Sequence, residues 1–265
     1  PMKNTAIISP EFRTIGVGYA GLGSLLMRRG LAYDSDEGRA LAAAISALMT
    51  GTAYEASAEM AKNLSPFIHF EFNRKPMLEV MERHRKSLDD VLWENVPEDL
   101  KLAAYETWNN AIKQGREFGF RNAQATVVAP TGTISYLMGC QDSTGLEPGF
   151  SLTTFKNLAG GGNVTIVNAE THNALENLGY NRTQIAEIEE HVTKKNTVVG
   201  APHMNPGHYS IFATAVGNGK DVGTIPFEGQ IKMLGAVQPF ISGSMSKTCN
   251  LPASATVKEI YDRFL

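Results

Sequence analysis

The residues with the most evident chemistry form a turn of proline, threonine, glycine and serine: Pro130, Thr131, Gly132, Thr133, Ile134 and Ser135. The apolar, β-branched residues Val127 and Val128 precede it and predict a buried strand. A strand ending in such a turn points several backbone N–H groups and hydroxyls in one direction, which is what a phosphate group needs. An ordinary strand-to-helix turn with hydroxyl caps has the same composition. Because the turn also lacks the lysine of the Walker motif, the residues alone leave both interpretations open.

A second glycine-rich run, Gly16 to Gly21, has the G-x-G-x-x-G spacing of dinucleotide-binding loops. Such a site also needs an acidic residue at the end of a second strand, about 20 residues further on. Here the acidic residues Asp34, Asp36 and Glu37 fall at the predicted start of a helix. The run is therefore interpreted as close strand–helix packing rather than a nicotinamide site. The acidic residues lack two ligand positions of a calcium loop, so they are interpreted as a helix cap.

The remaining candidates are four histidines, two cysteines and three glycines: His172, His191, His203, His208, Cys140, Cys249 and Gly160 to Gly162. The histidine spacing matches no helical metal-binding pair, which favours hydrogen-bonded histidines over ligands. Neither cysteine has an activating neighbour in sequence, and their separation argues against a disulfide scaffold or zinc ribbon. The three glycines fit either close approach to a ligand or a ribbon turn, and both remain open.

Long helical stretches separate the short strands predicted at 15–18, 124–129 and 246–250. The predicted helices span 19–29, 37–62, 76–88, 97–118, 168–178, 182–194 and 227–238. Residues 66–74 are expected to form a loop with aromatic anchors, and residues 152–167 a β-ribbon. Strands separated by helices are typical of parallel pairing with crossovers, so the expected class is α/β, as a barrel or a doubly wound sheet.

The composition limits the classes of protein that need to be considered. A chain of 265 residues, 43% of them hydrophobic and 19% charged, is long enough to form one large domain or part of one. A net charge of −3 argues against a nucleic-acid partner. The sequence contains neither an apolar stretch long enough for a membrane span nor a recognisable targeting segment, so a cytoplasmic protein is expected. The helix predicted after residue 256 has no stop signal, and both ends are expected to be truncated.

Several separated motifs resemble the large catalytic subunit of ribonucleotide reductases. They are Ile15 to Gly23, Tyr33 to Ala40, Gly119 to Gln124, Ala129 to Ser135 and Gly145 to Pro148. Three further motifs resemble the adenosylcobalamin-dependent, or class II, members in particular: Leu158 to Gly162, Gln238 to Gly243 and Ser246 to Thr248. Several motifs in the same order as in the family indicate membership more specifically than any single motif does.

The resemblance implies a ten-stranded α/β barrel, of which residues 1–265 supply roughly the second half as one truncated domain. It implies that Pro130, Thr131, Gly132, Thr133 and Ile134 hold the phosphates of a ribonucleotide substrate, with Ser135 adjoining them. It further implies adenosylcobalamin as cofactor, a thioredoxin-type reductant as partner, and leaves a homodimer open.

The family's radical chemistry implies residues that this chain lacks. A cysteine thiyl radical abstracts the 3′-hydrogen of the ribose, and neither Cys140 nor Cys249 lies in the family's Asn-x-Cys-x-Glu motif. The resemblance therefore implies no catalytic residue in this chain and an N-terminal part of the reductase as its partner. The alternatives are a non-catalytic nucleotide-binding module, for which the chain alone would bind nucleotide, and a dinucleotide-dependent oxidoreductase built on Gly16, Gly18 and Gly21.

Overall fold

The computed structural model describes residues 2–140, 142–157, 160–216, 223–248, 256–258 and 261. The helices are α1 (Lys3–Phe12), α2 (Leu22–Arg28), α3 (Asp36–Leu64), α4 (Phe70–Lys86), α5 (Glu98–Phe118), α6 (Ile134–Met138), α7 (Ala169–Asn177), α8 (Arg182–Lys195) and α9 (Phe227–Val237). Short 3₁₀ helices lie at Ser87–Asp90, Trp93–Asn95, Pro206–Phe212 and Gln238–Phe240. Strands β1 (Thr153–Asn157) and β2 (Asn163–Val167) form an antiparallel hairpin, which confirms the predicted ribbon.

Three extended segments pair in parallel and organise the rest of the chain. Val17 pairs with Thr126, and Val128 pairs with Met245, so the segment around 124–128 lies between the other two. The parallel strands predicted at 15–18 and 124–129 are confirmed as short pairings. The third pairing lies at Met245, just before the predicted 246–250, and residues 249–250 fall outside the described residues. The α/β class is confirmed.

Helices α3 and α5 pack against each other through small residues and one large ring. The Ser35 side chain caps α3 by accepting a hydrogen bond from Gly38 N at 3.0 Å, as the predicted cap requires. Trp108 of α5 is fully buried, and its indole N–H donates to Ala47 O of α3 at 2.9 Å. The alanines of α3 allow this close approach, because larger side chains would separate the helices.

The aromatic core lies beside these two helices. Phe120 is fully buried and meets Tyr54 and Phe70 in edge-to-face contacts, with ring centroids 5.4 and 6.1 Å apart. Phe70 is the first residue of α4, so this helix begins earlier than predicted and the loop predicted at 66–74 is confirmed only for residues 66–69. Pro76 lies inside α4. An interior proline costs a helix about 3 kcal/mol. The buried side chains of Phe70 and Met81 pack α4 against the core, and sequence patterns alone do not reveal this packing.

The start of α2 also differs from the prediction. Gly21 takes a left-handed conformation, with φ of 80°, and the helix begins only at Leu22 rather than at residue 19. No helix in the described ranges combines the length and the hydropathy that crossing a membrane requires.

Tyr19, just before α2, joins the first extended segment to α3. Its hydroxyl lies 3.0 Å from Ser46 Oγ, and Ser46 in turn donates to Ala42 O at 2.8 Å. Burial raises the pKa of the Tyr19 phenol to about 12, and the hydrogen bond with Ser46 offsets a smaller part of that shift. The neutral phenol is therefore the form that the folded chain favours.

We predict that Gly115→Ala destabilises the fold. A Cβ at Gly115 would lie 2.1 Å from Phe120 Cζ, and the surrounding rings hold Phe120 in place. The clash should lower the free energy of unfolding by about 1–3 kcal/mol, more than the gain of up to about 1 kcal/mol in helix propensity. The matched control is Gly235→Ala in α9, where a Cβ meets no atom within 4 Å and a small stabilisation is expected. Urea unfolding measures both, and a Gly115→Ala midpoint at or above that of the wild type would contradict the packing.

We also predict that Tyr19 makes the fold lose stability in alkali. Below pH 10 the phenol is protonated in both the folded and the unfolded states, and its contribution is complete. As the pH rises from 10 to about 12, only the unfolded state ionises, and about 2–3 kcal/mol is lost. Tyr19→Phe should remove this part of the pH dependence. Urea unfolding of both proteins from about pH 9 to about pH 12 tests it, and equal slopes would refute the assignment.

Candidate functional site

The turn at 130–135 follows the middle extended segment at its carboxyl end. Val128 is 1% exposed and belongs to the core, whereas the next two residues, Ala129 and Pro130, are exposed. Gly132, Thr133 and Ile134 are exposed as well. The chain therefore leaves the core at residue 129 and presents the turn to the outside.

Thr131 sets the shape of this turn. It has a φ of 52°, an unusual conformation for a threonine, and its carbonyl accepts a hydrogen bond from Ser135 N at 3.0 Å. Its hydroxyl accepts from Gly145 N at 2.6 Å. The Thr131 hydroxyl therefore helps to hold the turn, and because it accepts in this bond, its own O–H is still available to donate.

Three backbone N–H groups of the turn are free. Within the described residues, the N–H groups of Gly132, Thr133 and Ile134 donate to no acceptor, and the Thr133 hydroxyl forms no hydrogen bond. A Cβ at Gly132 would meet no atom within 4 Å, so the space beside it is open. Consecutive free N–H groups next to open space are the arrangement that binds an anion.

Ser135 is the buried member of the turn. The residue is 0% exposed, and its Oγ has no hydrogen-bond partner. Its backbone is fully used, because its N–H donates to Thr131 O and its carbonyl accepts from Cys140 N, both at 3.0 Å. An unpaired buried hydroxyl costs about 1–3 kcal/mol and requires an explanation, such as a ligand that completes it.

Motifs far apart in sequence meet beneath the turn. Ser143 Oγ accepts from Gly23 N at 2.9 Å and donates to Glu147 O at 2.6 Å. The Tyr33 hydroxyl donates to Leu146 O at 2.7 Å. The segment 143–147 thus connects the start of α2 and the Tyr33 region to the turn, through the Gly145–Thr131 hydrogen bond.

Beside the segment 143–147 lies an ion pair, Glu147 with Lys247, that the sequence analysis did not predict. Lys247 is only 3% exposed in its side chain and Glu147 16%, and the Lys247 ammonium contacts a carboxylate oxygen of Glu147. The same ammonium donates to Gln230 Oε1 at 2.8 Å and to Thr248 O at 2.7 Å. Thr248 N donates to the other Glu147 oxygen at 2.6 Å. Both charged residues lie in motifs that carry the family resemblance, and this was the only sequence signal that could have pointed to them.

The G-x-G-x-x-G run serves packing in this structure. A Cβ at Gly16 would lie 2.8 Å from Val127 Cγ2, and one at Gly18 would lie 2.5 Å from Val127 O. These glycines thus let two extended segments approach, rather than a strand and a helix as expected. The acidic residues Asp34 and Asp36 bind Arg39, at 2.7 and 2.6 Å.

The four candidate histidines are each hydrogen-bonded. His172 pairs with Glu189 at 2.7 Å and His203 with Glu187 at 2.9 Å. The partners of His191 and His208 are Val199 O at 3.2 Å and Tyr180 at 2.9 Å. Across the ranges that the structure describes, no group of three or more His, Cys, Asp or Glu residues could hold a metal ion.

The remaining candidates are distributed as follows. Cys140 is a half-buried free thiol at the end of α6, and Cys249 lies outside the described residues. Gly161 and Gly162 take φ values of 89° and 87° between β1 and β2, which fits the ribbon-turn interpretation. Leu158 and Ala159 of that motif lie outside the described residues.

The sequence is similar to that of known proteins over most or all of its length. The family model for the ribonucleotide reductase barrel domain matches residues 1–265. The vitamin B12-dependent ribonucleotide reductase of Streptomyces coelicolor is 46% identical over 250 residues, covering 94% of this chain and 25% of the relative. The corresponding protein of Streptomyces clavuligerus is 47% identical over 250 residues, with 94% and 26% covered. That of Rhodopirellula baltica is 42% identical over 264 residues, with 100% and 25% covered.

These matches confirm the resemblance carried by the motifs. The chain spans about a quarter of the length of these relatives. The matched barrel domain agrees with the parallel pairings and the α/β class described above. The chain therefore belongs to the ribonucleotide reductase family, and its sequence is that of the family's barrel domain.

Proposed function

We propose that this chain is part of a ribonucleotide reductase and supplies the surface that binds the phosphates of the ribonucleotide substrate. The relatives named above are vitamin B12-dependent ribonucleotide reductases, and this chain corresponds to a part of them. The observation that carries the phosphate assignment is the turn itself. It combines three free N–H groups, a free Thr133 hydroxyl and the unpaired hydroxyl of Ser135.

The donors of the turn have separate roles in this proposal. The N–H groups of Gly132, Thr133 and Ile134 and the Thr133 hydroxyl donate to phosphate oxygens. Ser135 Oγ, buried below them, donates to the same group once the bound phosphate draws the turn towards it. Pro130 and Thr131 fix the turn, the first by its ring and the second through its bond to Gly145. Phosphate binding fixes where the ribose lies, and that orientation is this chain's contribution to the reaction.

The proposed turn contains no basic side chain. Phosphate is therefore held by neutral donors, each worth about 1.5–3 kcal/mol when the acceptor is charged. Several such bonds are needed together, so the loss of one donor is expected to weaken binding without abolishing it.

We further propose adenosylcobalamin as the cofactor of the whole reductase, by analogy with the relatives named above. We assign no described residue as a contact of the corrin, and the four candidate histidines are hydrogen-bonded within the fold. We assign no catalytic residue to this chain, and the radical cysteine and the reducing cysteines are expected in the rest of the reductase. A thioredoxin-type reductant, a homodimer and a cytoplasmic location stay predictions.

We predict that Thr133→Val in the complete reductase raises the KM for ribonucleotide roughly tenfold, because one donor to a charged phosphate is lost. Valine keeps the shape of threonine, and kcat should change much less. Thr52→Val, at an exposed threonine of α3, is the control and should leave KM unchanged. Steady-state kinetics with ribonucleoside diphosphate and triphosphate measure both variants.

The outcome of this experiment separates the candidate functions. An unchanged KM for Thr133→Val would rule out the phosphate assignment. Calorimetry on this chain alone addresses the alternative, since measurable nucleotide affinity without the rest of the reductase would favour an independent nucleotide-binding module.

A further inference from the structure

The ion pair between Glu147 and Lys247 is almost completely removed from water. The Lys247 ammonium has three acceptors, which are Glu147, Gln230 Oε1 and Thr248 O. Glu147 in turn receives a second hydrogen bond, from Thr248 N at 2.6 Å. Gln230 is 0% exposed, so the network has a buried amide at its base. Every ammonium proton is therefore used, and the direction of each group is fixed.

Such a pair contributes little net stability. Removing two charges from water is costly, and apolar residues of similar size often replace a buried pair without loss of stability. The pair is also not needed to join the segment around Met245 to the rest of the fold. The segment around Met245 is already bonded to the middle segment, through Val128 N to Ser244 O at 3.0 Å and Ser246 N to Val128 O at 2.9 Å. What the pair adds is a fixed geometry between two loops.

The geometry is transmitted to the phosphate turn through a short chain of contacts. Glu147 closes a tight turn on Thr144, with Glu147 N to Thr144 O at 2.7 Å. The next contact is Gly145 N to Thr131 Oγ1 at 2.6 Å. Gly145 also lies against the turn from below, since a Cβ there would be 2.4 Å from Ala129 O. A shift of Glu147 therefore moves Gly145 against both residues 129 and 131.

We propose that Glu147 and Lys247 are positioning residues for the turn at 130–135. They fix the segment 143–147 so that Gly145 supports Thr131 in its left-handed conformation, and the free N–H groups of the turn then face one point. The part of this proposal that concerns substrate rests on the phosphate assignment. The part that concerns the order of the turn does not.

The test uses the complete reductase with two variants of the pair. Lys247→Met alone leaves an uncompensated buried carboxylate, so its urea midpoint is expected to fall below that of the wild type. The double variant Glu147→Gln/Lys247→Met removes both charges, and its urea midpoint is expected to stay close to that of the wild type. The control is Glu82→Gln/Arg116→Met, which removes an exposed ion pair of 2.6 Å between α4 and α5.

Two measurements are made on each variant. Hydrogen exchange of the peptide covering 129–140 should become faster in the double variant, while the peptides of α3 and α5 keep the wild-type rate. The KM for ribonucleotide should rise roughly tenfold, because misplaced donors bind phosphate less well, with a smaller change in kcat. The control should change neither quantity.

The results distinguish the two proposals. A double variant that folds, exchanges at the wild-type rate in 129–140 and keeps the wild-type KM would show a merely structural pair and overturn the positioning role. Faster exchange in 129–140 without any change in KM would uphold the positioning of the turn and overturn the assignment of the turn to substrate phosphate.

Discussion

The middle extended segment, residues 124–128, is the constraint on which the site depends, and buried hydroxyls hold it in register. Thr126 is fully buried, and its hydroxyl lies 3.0 Å from Thr50 Oγ1 and 3.2 Å from Ser242 Oγ. Ser242 Oγ accepts from Ala125 N at 3.1 Å and from Thr126 N at 2.9 Å. Ser242 N donates back to Thr126 Oγ1 at 3.1 Å. Leaving buried polar groups unpaired is costly, and a shift by one residue would break this whole set of hydrogen bonds.

This register decides where the turn at 130–135 emerges. With Thr126 fixed, Val128 enters the core and residue 129 is the first to leave it. Glycines on both sides allow the neighbouring backbones to come close enough to hold the segment. A Cβ at Gly18 would lie 2.5 Å from Val127 O, and one at Gly243 would lie 2.7 Å from Thr126 O. The first two glycines of the G-x-G-x-x-G run are thus explained by close packing against the middle segment, and no dinucleotide is needed to account for them.

The sequence predicts the features of this fold that are set locally. Ser35 with Asp36 and Glu37 marks the start of α3, and Gly119 marks the end of α5, because capping depends on a few neighbouring residues. The extended segments were predictable for the same reason. The early start of α4 was not, since it depends on Phe70 packing against Phe120, which lies far away in sequence.

In the candidate site, too, the features set by neighbouring residues were predictable and those set by distant residues were not. The turn at 130–135 is evident from its residue types, but its unpaired Ser135 hydroxyl emerges only from the packed structure. Glu147 and Lys247 are separated by 100 residues, and lysine is a residue type that is almost always exposed. Composition and spacing therefore predict a solvated lysine here. Only the parallel pairing of Val128 with Met245 brings the two charges together.

Under the proposed phosphate role, the pair also decides which donors the turn offers to an anion. Lys247 is the one cation that the described contacts place next to the segment supporting the turn, and Glu147 neutralises its charge. The turn is thus left with backbone dipoles and hydroxyls as its donors. Hydrogen bonds from neutral donors depend strongly on direction, whereas the attraction of a free ammonium depends mainly on distance. A surface of this kind gains selectivity from the order of its donors, and a rigid support beneath it matters more than added positive charge.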